Sequence, residues 1–448
     1  MYPNLYYVFK DWFGVEWHAL YFLNTFGLMV AVSFVVGAAV LSSELKRKEK
    51  LGLILPREEN IVVGEPASFM DLFVNGVMGF LFGYKLLGLF LSKPDNMNAQ
   101  EFIFSGEGSF LGGLLAGGLL VFIKWREKKK HQLEKPEKRT VRIWPHDRVG
   151  DIIMLGLVFG ILGAKLFDNL EHWSTFWENP LRALLSPSGL TFYGGLILAT
   201  IAILIFAFRK GIAIRHLVDA AAPTLMIAYA LGRVGCQVSG DGDWGIYNSA
   251  YVNNEMGKPV IAANSDFENG LRKNATYFLE GRVGDTLVTD RVYPSLQDVP
   301  HHYFKGPDFL PVWFFAYSYP QNVNRDGILI PGITDEHNRA LPSPVFPTPL
   351  YEFLICTILF VLLWLFRRQI DLPLVMFGVY LLLNGIERYC IEMMRVNNTY
   401  TFLGLNATQA QWIALALAFT GIALIFYARF SKLNKSKTTS NTNSEQII

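Results

Sequence analysis

DAAAPTLMIAYALGRVGCQVSGDGDWG, residues 219–245, opens as an apolar run fit to cross a bilayer and closes in a polar, glycine-rich turn. Arg233 stands where the apolar run gives out. The surrounding composition has the same character. Of 448 residues, 51% are hydrophobic, 14% aromatic and only 17% charged, and the mean hydropathy is +0.27. Such a balance is foreign to soluble domains and marks an all-α polytopic membrane protein. The net charge of +2 implies no nucleic-acid partner, because the Lys and Arg residues cluster beside apolar runs, where they orient helices. Cys236, Cys356 and Cys390 each lie in or beside an apolar segment without paired spacing, so neither a disulfide framework nor a zinc site is expected.

Charge asymmetry sets the membrane map. Residues 1–20 are aromatic rather than basic and lack a small-residue cleavage site, so they read as an interfacial segment and not a signal peptide. The first span is expected at Tyr21–Leu41, and ELKRKEK at Glu44–Lys50 marks the cytoplasmic side, which places the N-terminus in the periplasm. Further apolar runs at Phe69–Leu91, Gly108–Ile123, Gly150–Leu170, Leu190–Phe208, Leu217–Gly235, Pro349–Phe366, Leu372–Met394 and Ala410–Tyr427 bring the total to about nine. Basic clusters after Lys124, Phe208, Phe366 and Ala428 alternate as that count requires and leave the C-terminus cytoplasmic. The last residues, 429–448, are polar and of low complexity and read as a disordered tail. Residues 246–345 are too polar to span and form an external insertion of strands and loops. His301 and His302 there lack ligand spacing, so no metal or other cofactor is expected. The basic linker Lys124–Arg148 is explained by topology alone, although such a charge run also suits anionic headgroups.

Two helix pairs, about 69–125 and 150–208, resemble each other, with Gly83–Lys85 matching Gly163–Lys165 and Gly112–Gly113 matching Gly194–Gly195. Both enter from and return to the cytoplasm, so the duplication is parallel, unlike the inverted repeats of many secondary transporters. Lys85 and Lys165 read as interface anchors.

Polar groups inside the spans fall at one depth. Counted at ~1.5 Å per residue from the cytoplasmic end of each helix, Arg233 stands about 27 Å beyond Arg215 and Tyr193 about 24 Å before Arg209. Glu352 stands about 22 Å before Arg367 and Arg388 about 26 Å beyond Asp371. In a hydrocarbon core about 30 Å thick, that is the outer leaflet near its headgroups. Asn384, Arg388, Glu392 and Arg395 follow a helical spacing that lines one face of the eighth span. A charge within a span costs ~2.5–3.5 kcal/mol on insertion scales, so several at one level imply mutual pairing or an anionic ligand. A single arginine there serves equally as a snorkelling anchor. Four spans contributing together favour a site. Gly194 and Gly195 let backbone approach a ligand or another helix, and the Gly240–Gly245 turn offers N–H donors and the carboxylates of Asp241 and Asp243 to a headgroup.

At these residues the chain resembles the bacterial prolipoprotein diacylglyceryl transferases. The resemblance is carried by TFGLMVAVSF in the first span, SGLTFYGGL, AAAP…GRVGCQVSGDGDWG, FPTPLYE, and NGIERYCIEMMR followed by LGLNATQAQW. It leaves out residues 246–345 and the first helix pair, which look like additions to a seven-span core. The resemblance implies transfer of the diacylglyceryl group of phosphatidylglycerol to the thiol of a lipobox cysteine in a preprolipoprotein, with glycerol phosphate released, in the bacterial inner membrane. Arg233 matches the arginine of the family's GR-x-GN-type signature and Arg388 the one on its penultimate span, both suited to gripping phosphate oxygens. The chain departs from the pattern in places. Tyr193 replaces a histidine, Cys236 an asparagine, Asn384 and Phe26 each replace one of its tyrosines, and GDGDWG is one residue longer than the usual turn, so either Asp241 or Asp243 supplies its acid. The base that takes the thiol proton is Tyr193 or Glu352, and Glu352 serves equally as an arginine partner. The implied contacts to substrate fall to Gly194, Gly195, Cys236, Asp241, Asp243, Gly245, Asn384, Glu392 and Arg395. The competing class is a transporter or anionic-lipid-binding protein that uses the same arginines without chemistry. Oligomeric state has no signature in the chain.

Overall fold

The computed structural model describes residues 1–91, 102, 106–185, 191–263, 265–370, 372–397, 399–402 and 405–445. Asp371, from which the depth of Arg388 was counted, lies outside them, as do the Ser188–Leu190 and Leu403–Gly404 ends of two motifs. The described chain is mainly helical. A short helix, α1 (Leu5–Phe13), precedes α2 (Thr25–Lys50), α3 (Phe69–Leu91), α4 (Phe110–Lys130), α5 (Val149–Glu171), α6 (Phe192–Lys210), α7 (Ile214–Ser239), α8 (Thr348–Phe366), α9 (Val375–Glu392) and α10 (Gln409–Glu445). By length and composition, seven of the nine long helices are apolar enough to cross a membrane. The other two, α4 and α9, carry KWREKKK and the polar stripe respectively. In hydrocarbon every backbone N–H and C=O must be satisfied within the segment, which is why these runs are helices.

Contacts divide the chain into two compact units. One comprises Glu16–Leu23 and Ser42–Ile214. Its two helix pairs, α3 with α4 and α5 with α6, close on equivalent small residues. A methyl group on Gly112 would lie 2.9 Å from the Gly83 carbonyl oxygen, and one on Gly194 would lie 2.5 Å from that of Gly163. Bare backbone at these positions lets the helix axes approach, which is how helices associate where no water drives them together. The unit also holds an antiparallel sheet, β1 (Arg57–Val63) and β2 (Glu137–Ile143), with Arg57 opposite Ile143 and Val63 opposite Glu137. Part of the basic linker is therefore a strand, crossed by the Arg142–Glu58 pair at 3.0 Å. The short strands beyond Ser239 pair differently.

The other unit comprises Met1–Val15, Asn24–Leu41 and Arg215–Ile448. Here α7, α8 and α9 share a core of Ala222, Met226, Ala230, Cys356, Leu363 and Met376. Helix α9 closes on α10 through Gly378 and Gly385, whose added methyls would lie 2.8 and 2.5 Å from the carbonyl oxygens of Gly421 and Ala414. Asp219 of α7, 2% exposed, accepts the N–H of Leu374 at 2.8 Å and of Phe377 at 3.0 Å. It caps α9 from a neighbouring helix and satisfies donors that a helix start leaves open. Residues 246–345 fold on a core of Trp244, Tyr247, Phe267, Phe278, Tyr319 and Leu341, with two-stranded sheets and two short helices, Asp266–Lys273 and Ala275–Glu280.

Two expectations need correction. Helix α9 ends at Glu392 rather than Met394, so Arg395 does not continue the helical face of Asn384, Arg388 and Glu392. It lies past the helix end in an antiparallel bridge to Gly245. The first long helix also starts later than its apolar run, at Thr25, because Tyr21 belongs to a 3-10 turn at His18–Phe22.

Candidate active site

One carboxylate gathers the arginines. Glu352, in the second turn of α8, is fully buried. Its Oε2 receives Arg233 Nε and the Tyr229 hydroxyl at 2.9 Å, while its Oε1 faces Arg388 Nη1 at 3.4 Å and Arg395 Nη1 at 3.9 Å. A second bridge lies in the glycine-rich turn, where Asp243 Oδ2 pairs with Arg233 Nη1 and Oδ1 with Arg395 Nη2 at 2.5 Å. Glu392 closes the group, 3.2 Å from Arg388 Nη2 one helical turn away. Three guanidinium groups thus meet three carboxylates. Burial is tolerable for such charges only when they are paired and hydrogen-bonded. Arg233 Nη2 has no carboxylate partner among the described residues. Guanidinium carries five N–H donors, so this face retains capacity for another anion.

Local structure explains the convergence. Arg233 sits six residues before the end of α7 and stacks over the Tyr229 ring one turn earlier, at 5.3 Å. The chain then turns back through Gly240 (φ +67°) and Gly242 (φ +98°), left-handed conformations that side-chain-bearing residues seldom adopt. A methyl on Gly242 would lie 2.7 Å from Asn324 Nδ2. Beyond the turn, Gly245 N donates to Phe346 O at 2.9 Å and Ile246 N to Met394 O at 2.8 Å, which ties the turn to the start of α8 and the end of α9. Thr348 Oγ1 donates to the Asp243 carbonyl oxygen at 2.8 Å.

Asp243 lies outside the membrane-spanning helices. Burial opposes its ionisation, and Arg233 and Arg395 outweigh burial, holding its carboxyl down at about 2. Asp241 moves the other way, raised by burial and by the charge of Asp243. Cys236 Sγ, Asp241 and Asp243 lie within 4.8 Å of one another, a grouping that invites a cation. Both oxygens of Asp243 are already taken by guanidinium, so a metal would have to displace two arginines.

The other expected residues are placed as follows. Cys236 Sγ is 3.7 Å from Arg233 Nη1, and Asp241 Oδ1 accepts the Asp243 N–H at 3.3 Å, a turn-forming bond. Gly245 is packed against Met394 and Thr348. Asn384 is half-buried one turn before Arg388, with no polar partner among the described residues. Tyr193, Gly194 and Gly195 belong to the other unit, in the first turn of α6, where a methyl on Gly194 would lie 2.5 Å from the Gly163 carbonyl oxygen. Both glycines serve helix packing there. Sequence reasoning missed Tyr229, Thr348 and Thr408, whose Oγ1 donates to Glu392 Oε1 at 3.0 Å. For Tyr229 a signal existed, its i−4 spacing from Arg233.

Residues 131–427 match the family model described as prolipoprotein diacylglyceryl transferase, a range that holds every member of this network. The chain is similar to the phosphatidylglycerol–prolipoprotein diacylglyceryl transferase of Shouchella clausii (strain KSM-K16), 26% identical over 286 residues, which are 64% of this chain and 76% of that protein. The namesake from Janthinobacterium sp. (strain Marseille) is 22% identical over 290 residues, 64% of this chain and 79% of its own. The match begins at residue 131, so α2 and the pair α3–α4 precede it. With a family match across most of the chain, this multi-pass membrane protein belongs to the prolipoprotein diacylglyceryl transferase family.

Proposed function

We propose that the chain transfers the diacylglyceryl group of phosphatidylglycerol to the thiol of the lipobox cysteine in a preprolipoprotein signal peptide. The sulfur attacks the glyceryl carbon that bears the phosphate ester. A C–S bond forms, the C–O bond breaks, and the electron pair leaves with glycerol phosphate while the thiol proton passes to a base. The observation that carries the reading is the meeting of Arg233, Arg388 and Arg395 on Glu352 and Asp243, in a family whose relatives are named for this substrate. Preorganised guanidinium groups stabilise charge that develops on a leaving phosphate, and they do so without reorganising at the moment of reaction. The same positive field favours thiolate over thiol, whose unperturbed pKa is about 8.5.

Glu352 is the clamp that aims the arginines, since both its oxygens are occupied by donors. Tyr193 stands where the family pattern has a histidine, and by that resemblance alone its phenol is a candidate proton acceptor. On the proposed topology the N-terminus and residues 246–345 face the periplasm and the C-terminus the cytoplasm. Both substrates then reach the site within the outer leaflet. Arg233→Ala or Arg388→Ala is expected to abolish lipidation of a lipobox substrate in membranes, a loss of at least about a hundredfold, while the protein still inserts. Normal lipidation by both variants sinks the reading.

A further inference from the structure

The site's acidic turn is held from outside by the polar insertion. Arg291, within residues 246–345, donates through Nη2 to the Gly242 carbonyl oxygen and lies 5.4 Å over the Trp244 ring. Gly242 and Trp244 flank Asp243. From the same insertion a strap at Tyr319–Val323 grips the end of α7. The Tyr319 hydroxyl donates to Gln237 Oε1 at 2.8 Å and Val323 N donates to Ser239 O at 2.9 Å. The Tyr319 ring meets Trp244 at 4.9 Å.

The strap and its flank are built under constraint. Tyr319 (φ 45°), Gln321 (φ 58°) and Arg325 (φ 56°) all adopt the left-handed region without being glycine. Such conformations persist only where surrounding structure over-determines them, and they gather at functional sites. Asn322, fully buried, supplies that determination: its Nδ2 donates to Tyr319 O at 3.1 Å and to Asp326 O at 2.8 Å, and its Oδ1 accepts Asp326 N at 2.8 Å. A turn with glycines at Gly240 and Gly242 is intrinsically loose. Asp243 can bridge Arg233 and Arg395 in one geometry only if the turn itself is fixed.

We propose that Arg291 is a positioning residue for the transfer reaction, fixing the glycine-rich turn so that Asp243 aims Arg233 and Arg395 at the phosphate. The insertion is then a working part of the catalytic apparatus. The inference rests on the proposed function for its catalytic consequence but not for its structural one.

The test compares purified wild type, Arg291→Ala, Arg291→Lys, Asp243→Asn and the Arg291→Ala/Asp243→Asn double variant, using phosphatidylglycerol vesicles and a lipobox peptide. Arg291→Ala is expected to lower kcat about tenfold and leave KM for the peptide within about twofold, since effects realised only in the transition state fall on kcat. Arg291→Lys recovers part of the loss. The double variant is no slower than Asp243→Asn alone, because coupled residues are non-additive. Amide hydrogen exchange supplies a readout that needs no turnover: in Arg291→Ala the amides of residues 240–245 exchange at least tenfold faster while the interior of α7 does not. If wild type itself transfers nothing, the proposed function fails and the exchange result alone decides the positioning role. Unchanged exchange at 240–245, or losses that multiply in the double variant, overturns the inference.

Discussion

Glu352 carries more of the site than any other residue, since three arginines and a tyrosine reach its two oxygens. Glu352→Gln keeps the shape and removes the charge, leaving three guanidinium groups to two carboxylates. Breaking a buried ion pair by removing one partner costs about 3–5 kcal/mol, so a lowered thermal midpoint and a large loss of transfer are expected. On the proposed clamp role of Glu352 the residual activity should keep the pH profile of the wild type; loss of the acid limb would instead make it the proton acceptor. Tyr193→Phe should slow transfer at least tenfold, and Tyr193→His, which supplies a base with a pKa of about 6.5, should keep or raise it; unchanged turnover in Tyr193→Phe removes the phenol from the mechanism. Asp243, held down at about 2 by its arginines, stabilises the turn at every pH above the ordinary carboxylate range of about 3.9. Its contribution is lost only as the pH falls toward 2, so any acid limb of activity above pH 5 belongs to another group. Arg233 and Arg388 were legible in sequence because a charge inside an apolar run is costly and therefore conspicuous. Tyr229, Thr348 and Thr408 were not, since a hydroxyl sits in a helix at little cost and its role appears only when distant segments meet.

Helices α7, α8 and α9 were legible as elements from apolar length, and residue counting set Arg233, Glu352 and Arg388 at one level, but the contacts that fix those heights were not legible. Asp219 fixes one of these, capping α9 across 155 positions of sequence. Asp219→Ala should cost about 1 kcal/mol, as lost caps do, read as a fall in thermal midpoint with transfer reduced less than tenfold; an unchanged midpoint would mean that α9 is held by its packing on α7, α8 and α10 without the cap. The end of α9 was misplaced by two residues because MM continues the apolar pattern while the backbone turns to bridge Arg395 with Gly245. The β1–β2 sheet was invisible for a different reason: REENIVV and EKRTVRI are polar surface strands without clean alternation, paired across about 80 residues.

For the molecule as a whole, composition and charge placement were enough to read a polytopic bundle, and seven of the long helices meet the length and apolarity of a span. The polar insertion was legible only as non-membrane; its bonds to the turn at Gly242 and Ser239 depend on tertiary folding. A network that holds a phosphate while a carbon–oxygen bond breaks must leave both products of that cleavage in the tube. Purified protein incubated with phosphatidylglycerol and a lipobox peptide, with both analysed by mass spectrometry, should yield a peptide carrying one diacylglyceryl group on its cysteine sulfur and an equal amount of free glycerol phosphate, both absent with Arg233→Ala. Lipid that stays bound and intact beside an unmodified peptide would refute the transferase reading.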